Sequence, residues 1–335
     1  MSKQKQQQRD IGLDIVRVVA ILFVITGHFF VNTHIVAHPV SNVNLLAQAF
    51  CNSVSTVAVP LFVLLTGYLH RRKRYTEINL HTFFGLKKVL VSYLFFSILC
   101  FLLRFFYFNE QHSVVEWGQM LMDFSLIPYG WYIEMYIGLF LFMPFLNIIF
   151  ENLHTQNNRR FLIIATVING SLPAFVNRGG YQLLPDYFAT FSSVAAFYFI
   201  GSYIASYRPQ VRKPVLLSVV VLACMADAGA NMLLHRVYNP MGGDIFGFFY
   251  IVVATSVFLL LYDVKSEQHW ISKIAIYTLD VYLCSWLFDA LYYTFLKAHF
   301  YTTQESFFPF ILLTVPMVYS SSLLVSWLKS KVVRM

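Results

Sequence analysis

The sequence predicts an all-α integral membrane protein, a bundle of about ten transmembrane helices with both termini on the cytoplasmic side. Three observations predict it. Of the 335 residues, 58% are hydrophobic and only 12% are charged, far below the roughly one quarter charged that soluble domains carry. Apolar stretches near the roughly 20 residues that a bilayer core requires recur at 11–31, 52–69, 89–108, 128–150, 161–177, 187–206, 214–234, 245–263, 272–296 and 307–328. Lysine and arginine, finally, gather in alternate connections. One set holds Lys3, Lys5 and Arg9; Arg71, Arg72, Lys73, Arg74, Lys87 and Lys88; Arg159 and Arg160; Arg208, Arg212 and Lys213; Lys265 and Lys273; and Lys329, Lys331 and Arg334. The other set holds Arg178, Arg236 and Lys297. By the positive-inside rule the first set, which includes both termini, faces the cytoplasm. The net charge of +8 is thereby explained by topology, and no nucleic acid partner is expected.

Residues 1–10 form a Lys/Gln/Arg-rich tail. The apolar run after it is about 20 residues long and has no small-residue cleavage site, so it reads as a retained first helix rather than a signal peptide. Residues 11–328 form the membrane domain and 329–335 a second cytoplasmic tail. No connection exceeds about 20 residues, so no soluble catalytic domain is expected, and the bundle with its short loops must carry the function.

The first span, Gly12 to Val31, contains three ionisable residues, Asp14, Arg17 and His28. Such groups are costly in lipid and mark functional sites by default. The step from Arg17 to His28 rises about 16 Å and returns to within roughly 20° of the same helix face. One face thus carries a cation at the cytoplasmic end and an imidazole near the outer end. Two plainer readings compete: His28 as an interfacial histidine satisfied by a carbonyl or water, and Arg17 as the i, i+3 partner of Asp14.

The second span contains Thr66 and Gly67, whose small side chains suit close helix packing, and ends in His70-Arg71-Arg72-Lys73-Arg74. That run reads as a positive-inside anchor. With Lys87 and Lys88 it also makes a cytoplasmic patch suited to phosphates or anionic headgroups of membrane lipid. In the fourth span Glu134 lies roughly two turns inside the outer boundary, where a carboxylate must be protonated and hydrogen-bonded or paired with a base. Asp280 and Asp289 in the ninth span are read as roughly sharing one face. The four cysteines, Cys51, Cys100, Cys224 and Cys284, lie singly in or beside apolar segments and read as buried small hydrophobes, not as metal or redox ligands.

Gly12-Leu13-Asp14-Ile15-Val16-Arg17, followed after ten residues by His28, resembles the opening helix of the membrane-bound acyltransferase-3 family, with its Leu-Asp-x-x-Arg start and Arg-x10-His signature. Pro60-Leu61-Phe62 through Thr66-Gly67-Tyr68-Leu69 is similar to that family's second helix, and Lys87-Lys88 to the basic start of its third. Trp131 to Pro144, Phe197 to Gly201 and Ile276 to Leu283 resemble its later helices, so the likeness covers most of the chain. The chain departs from the family at Lys88-Val89-Leu90, where many members have a second arginine and a proline. It departs again at Cys284-Ser285-Trp286, in place of His-Pro, and at Glu134, in place of tyrosine.

The resemblance implies transfer of an acyl group, commonly acetyl, from cytoplasmic acyl-CoA to a hydroxyl of an extracytoplasmic or lipid-linked glycan, in the plasma membrane of a bacterium. It implies no metal. The CoA phosphates would meet Arg71, Arg72, Lys73, Arg74, Lys87 and Lys88, with Arg17 the innermost cation. His28 would act as general base or as acyl-carrying nucleophile. Glu134, Asp280 or another acid would orient it, Glu134 ranking first by predicted depth. Lacking the extracytoplasmic hydrolase-like domain of long members, the chain would acylate its glycan acceptor directly or hand the group to a separate partner, with glycan-assembly proteins among the expected partners. The competing class is a carrier or exporter of a polysaccharide-related substrate, which would depend on Glu134, Asp280 and Asp289 and would not need the alignment of Arg17 with His28.

Overall fold

A computed structural model of the chain describes residues 10–35, 38–71, 78–177, 182–233 and 246–333. Its helices are α1 Ile11–Asn32, α2 Val43–Ser55, α3 Ala58–His70, α4 Gly85–Leu102, α5 Val114–Met122, α6 Trp131–Asn152, α7 Gln156–Asn169, α8 Pro173–Val176, α9 Ala189–Tyr207, α10 Lys213–Leu233, α11 Phe248–Leu261, α12 His269–Ala275, α13 Thr278–Phe300, α14 Gln304–Phe307 and α15 Ile311–Val332. Local signals start several of them. The Asp10 carboxylate accepts from the Gly12 amide at the head of α1 (3.1 Å), and Asn42 and Thr155 cap α2 and α7 in the same way. Ser113 and Glu116 close a capping box on α5.

Among the described residues, seven helical stretches are long and apolar enough to cross a membrane: Ile11–Asn32, Val43–His70, Gly85–Tyr107, Trp131–Asn152, Ala189–Tyr207, Lys213–Leu233 and Gln304–Val332. The pair α12 and α13, bent by 64° at its break, makes an eighth if counted as one span. Two of the ten expected spans fall short on length. The stretch 161–177 resolves into the 14-residue α7, a break after Asn169 and the four-residue α8. The stretch 245–263 is α11, also 14 residues, about 21 Å of helix against a core of roughly 30 Å.

α1 is the central element, packed against α2, α3, α11, α12, α13 and α15. Val16, Ala20, Ile21 and Ile25 are buried there with Leu61 and Leu64 of α3, Phe258 of α11 and Leu283 of α13. The closest crossing joins α3 to α9 through two glycines. A Cβ on Gly67 would stand 2.0 Å from the Tyr198 carbonyl oxygen, and one on Gly201 2.0 Å from that of Leu64. The packing role expected of Gly67 is therefore met, with the partner helix supplying a glycine of its own. Cys100, Cys224 and Cys284 are buried and unpaired, as expected of small core residues, while Cys51 is half-buried.

Candidate active site

Arg17 and His28 lie on one face of α1 and border two different cavities. The first, about 300 Å³, is lined by Arg17, Thr66, His70, Lys88, Tyr132 and Tyr282, among others. The second, about 590 Å³, is lined by His28, Asn52, Thr56, Tyr129, Trp131 and Tyr282, among others. Among the described residues Tyr282 alone borders both. The ring is almost fully buried, and its phenol donates to the Tyr129 carbonyl oxygen.

His28 sits inside a compact polar group. Its Nδ1 is 3.5 Å from Oδ2 of Asp289, which is 1% exposed. That is ion-pair distance, longer than a formed hydrogen bond, and neither His28 Nδ1 nor Asp289 Oδ1 has another hydrogen-bond partner. The Tyr129 phenol donates to the same Oδ2 at 3.0 Å. Its ring stacks on the imidazole with centroids 3.6 Å apart and planes 26° from parallel. Asn32 donates to the Tyr129 hydroxyl at 3.0 Å and to the His28 carbonyl at 2.8 Å, fixing the last turn of α1 against the loop before α6. A neutral imidazole paired in this way carries its proton on Nδ1 and presents Nε2 to a reactant. Base and orienting carboxylate at slightly long range are usual for a site without substrate, tightening when a reactant is bound.

The carboxylate at His28 is thus Asp289 and not Glu134. Glu134 is exposed in the first turn of α6. Tyr132 and Ile133 take the core-facing positions there, and the next residue turns roughly 100° away from them. The shared face expected for Asp280 and Asp289 also fails. Nine residues at about 100° each end half a turn away, so the two acids serve different neighbours. Asp280 accepts from Lys329 Nζ at 2.6 Å, and the same ammonium donates to Ser92 Oγ at 2.6 Å and lies 5.2 Å from the Phe96 ring centroid. Lys329, assigned from sequence to the tail, is 2% exposed within α15.

The cationic residues are divided between structure and cavity. Arg17 pairs with Asp14, which is fully buried, and keeps 23% of its side chain exposed. The structural pairing and the cavity position therefore hold together. Lys88 borders the same cavity, and Lys87 is exposed beside it at the start of α4. Arg71 is committed elsewhere: it pairs with Glu151 and donates from Nε to Ser206 Oγ at 2.6 Å, tying the end of α3 to α6 and α9. Arg72, Lys73 and Arg74 lie outside the described residues. Sequence reasoning missed His70, Tyr129 and Tyr282. Tyr282 stood in view inside the segment resembling a family helix, but an aromatic in a membrane helix carries no signal of its own.

The helical bundle thus holds a cation at one cavity and a carboxylate-paired histidine at a second. The chain matches the acyltransferase family 3 domain over residues 10–327, nearly its whole length, and belongs to that family. It is a multi-pass membrane acyltransferase. Comparison with curated proteins and with solved structures found no match.

Proposed function

We propose that this enzyme takes an acyl group, commonly acetyl, from a cytoplasmic acyl-CoA and transfers it to a hydroxyl of an extracytoplasmic or lipid-linked saccharide. The observation that carries the reading is that Arg17 and His28 share one face of α1 yet border separate cavities that meet at Tyr282. CoA phosphates approach from the side of Lys87 and Lys88 and end at Arg17, whose planar guanidinium suits an oxyanion. The charge bias along the chain supports a cytoplasmic assignment for that side; both termini would lie on it, and the site of action would be a bacterial plasma membrane. The pantetheine arm then runs along α1 over about 16 Å of rise.

In the second chamber His28 Nε2 removes the proton of the acceptor hydroxyl, and the oxygen attacks the thioester carbonyl carbon. The new C–O bond forms as the C–S bond breaks, and the imidazolium returns its proton to the leaving sulfur. Asp289 balances the transient charge on the ring through Nδ1. The lining of this chamber favours a saccharide acceptor. Trp131 and Phe23 offer ring faces, and Asn52 and Thr56 offer short polar groups, the mixture that fixes a ligand with apolar faces and many hydroxyls.

The test is transfer of labelled acetyl from acetyl-CoA to a panel of saccharides by the purified protein in lipid. His28→Ala should abolish transfer with expression and melting temperature retained. Full transfer by that variant overturns the role of His28. Acetyl-CoA left intact by wild-type protein with every saccharide overturns the donor.

A further inference from the structure

We infer that Tyr282 is the partition between the donor and acceptor chambers, and that the acyl thioester reaches His28 only when this side chain swings aside. The inference rests on the two-chamber reading above and adds to it a control point. Tyr282 borders both cavities, and two further rings of the Arg17 cavity, Tyr132 and Phe62, continue from it. Tyr282 lies 5.0 Å from Tyr132, centroid to centroid, and Tyr132 lies 6.0 Å from Phe62 across on α3. A thioester rising along α1 from Arg17 therefore meets an aromatic wall before it meets the imidazole, whose centroid is 6.4 Å beyond that of Tyr282.

Two features make the wall movable and informed. Tyr282 lies in the second turn of α13, just past the 64° break from α12, and the break itself lines the donor chamber through Ala275 and Ile276. A donor filling that chamber pushes on the one point where this helix pair is discontinuous. Tyr282 is also latched by a single hydrogen bond to the Tyr129 carbonyl, on the residue whose ring stacks on His28 and whose phenol holds Asp289. In the closed state water and acceptor in the His28 chamber are kept from the thioester, so the donor is held without being hydrolysed. The reaction prevented is a balanced one: water, losing a proton to His28, forms a C–O bond to the acyl carbon, the C–S bond breaks, and the sulfur takes the proton, giving carboxylic acid and CoA thiol.

The experiment measures release of CoA thiol from acetyl-CoA by the purified protein in lipid, with no saccharide present, together with the affinity for CoA. Tyr282→Phe keeps the ring and removes the latch. It should raise thiol release about fivefold, the population shift expected from losing one neutral hydrogen bond, with CoA affinity within about twofold of wild type. Tyr282→Ala should raise it further, and His28→Ala placed in either variant should remove the increase. If Tyr282→Ala does not fold, Tyr282→Phe decides alone. Slow His28-dependent release that Tyr282→Phe leaves unchanged or lowers overturns the partition and leaves the proposed reaction standing. Release absent from wild type and from every Tyr282 variant also overturns the partition, while the proposed reaction stands or falls on the saccharide transfer assay above.

Discussion

Tyr129 covers the face of His28 with its ring, centroids 3.6 Å apart, and reaches past it to Asp289 with its hydroxyl. One residue of a loop thus controls both the tilt of the candidate base and the charge behind it. The stack leaves the ring free to act in its own plane, along Nε2, which suits proton transfer to and from a hydroxyl bound in the neighbouring cavity.

Asp289→Asn retains the shape of the side chain and removes its charge. Acetyl transfer should fall by roughly 10²-fold or more in kcat, whereas Glu134→Gln should stay within about twofold because that carboxylate is exposed and away from the imidazole. Initial rates of the two variants at saturating acetyl-CoA check this. Equal losses would reverse the assignment of Asp289.

Tyr129→Phe keeps the stack and deletes the phenol that donates to Asp289 and accepts from Asn32. Loss of a hydrogen bond to a charged group is worth about 1.5–3 kcal/mol, so kcat should drop roughly tenfold or more. The affinity for CoA, measured by calorimetry, should stay unchanged.

Arg17→Lys preserves a charge able to meet Asp14 but loses the planar fork. The KM for acetyl-CoA should rise roughly tenfold with a smaller change in kcat, the pattern of lost donor binding. Steady-state kinetics over a range of acetyl-CoA concentrations separates the two constants.

Lys329→Met leaves Asp280 without its cation. Breaking one side of a largely buried pair costs about 3 kcal/mol, read as a lower melting temperature in detergent. The double variant Lys329→Met with Asp280→Leu should recover most of the loss, since neither charge then remains in the bundle.

Gly201→Ala drives a methyl group into the Leu64 backbone and should destabilise by about 1–3 kcal/mol. Gly118→Ala, on the open face of α5 with nothing within 4 Å of the added carbon, should not. Paired thermal melts give the comparison.

The membrane class, the ionisable residues inside the first helix and the common face of Arg17 and His28 are legible in the sequence. Each of these depends on periodicity or composition within a single segment, and a helix has one geometry whatever surrounds it. The same arithmetic, applied with care, also separates Asp280 from Asp289 by half a turn. Composition also predicts ten spans, but backbone breaks after Asn169 and at the ends of α11 leave the fifth and eighth of them to helices of only 14 residues, α7 and α11, and hydropathy does not register where a helix stops. Which acid stands at His28 depends on packing between helices, because Glu134 and Asp289 are each plausible from depth alone and the choice turns on how α6 and α13 rotate against α1. The same holds for the burial of Lys329, the commitment of Arg71 to Glu151 and the position of Tyr282 between two cavities. All of these are relations between helices distant in sequence, set by packing that involves many residues at once, and no local pattern encodes them.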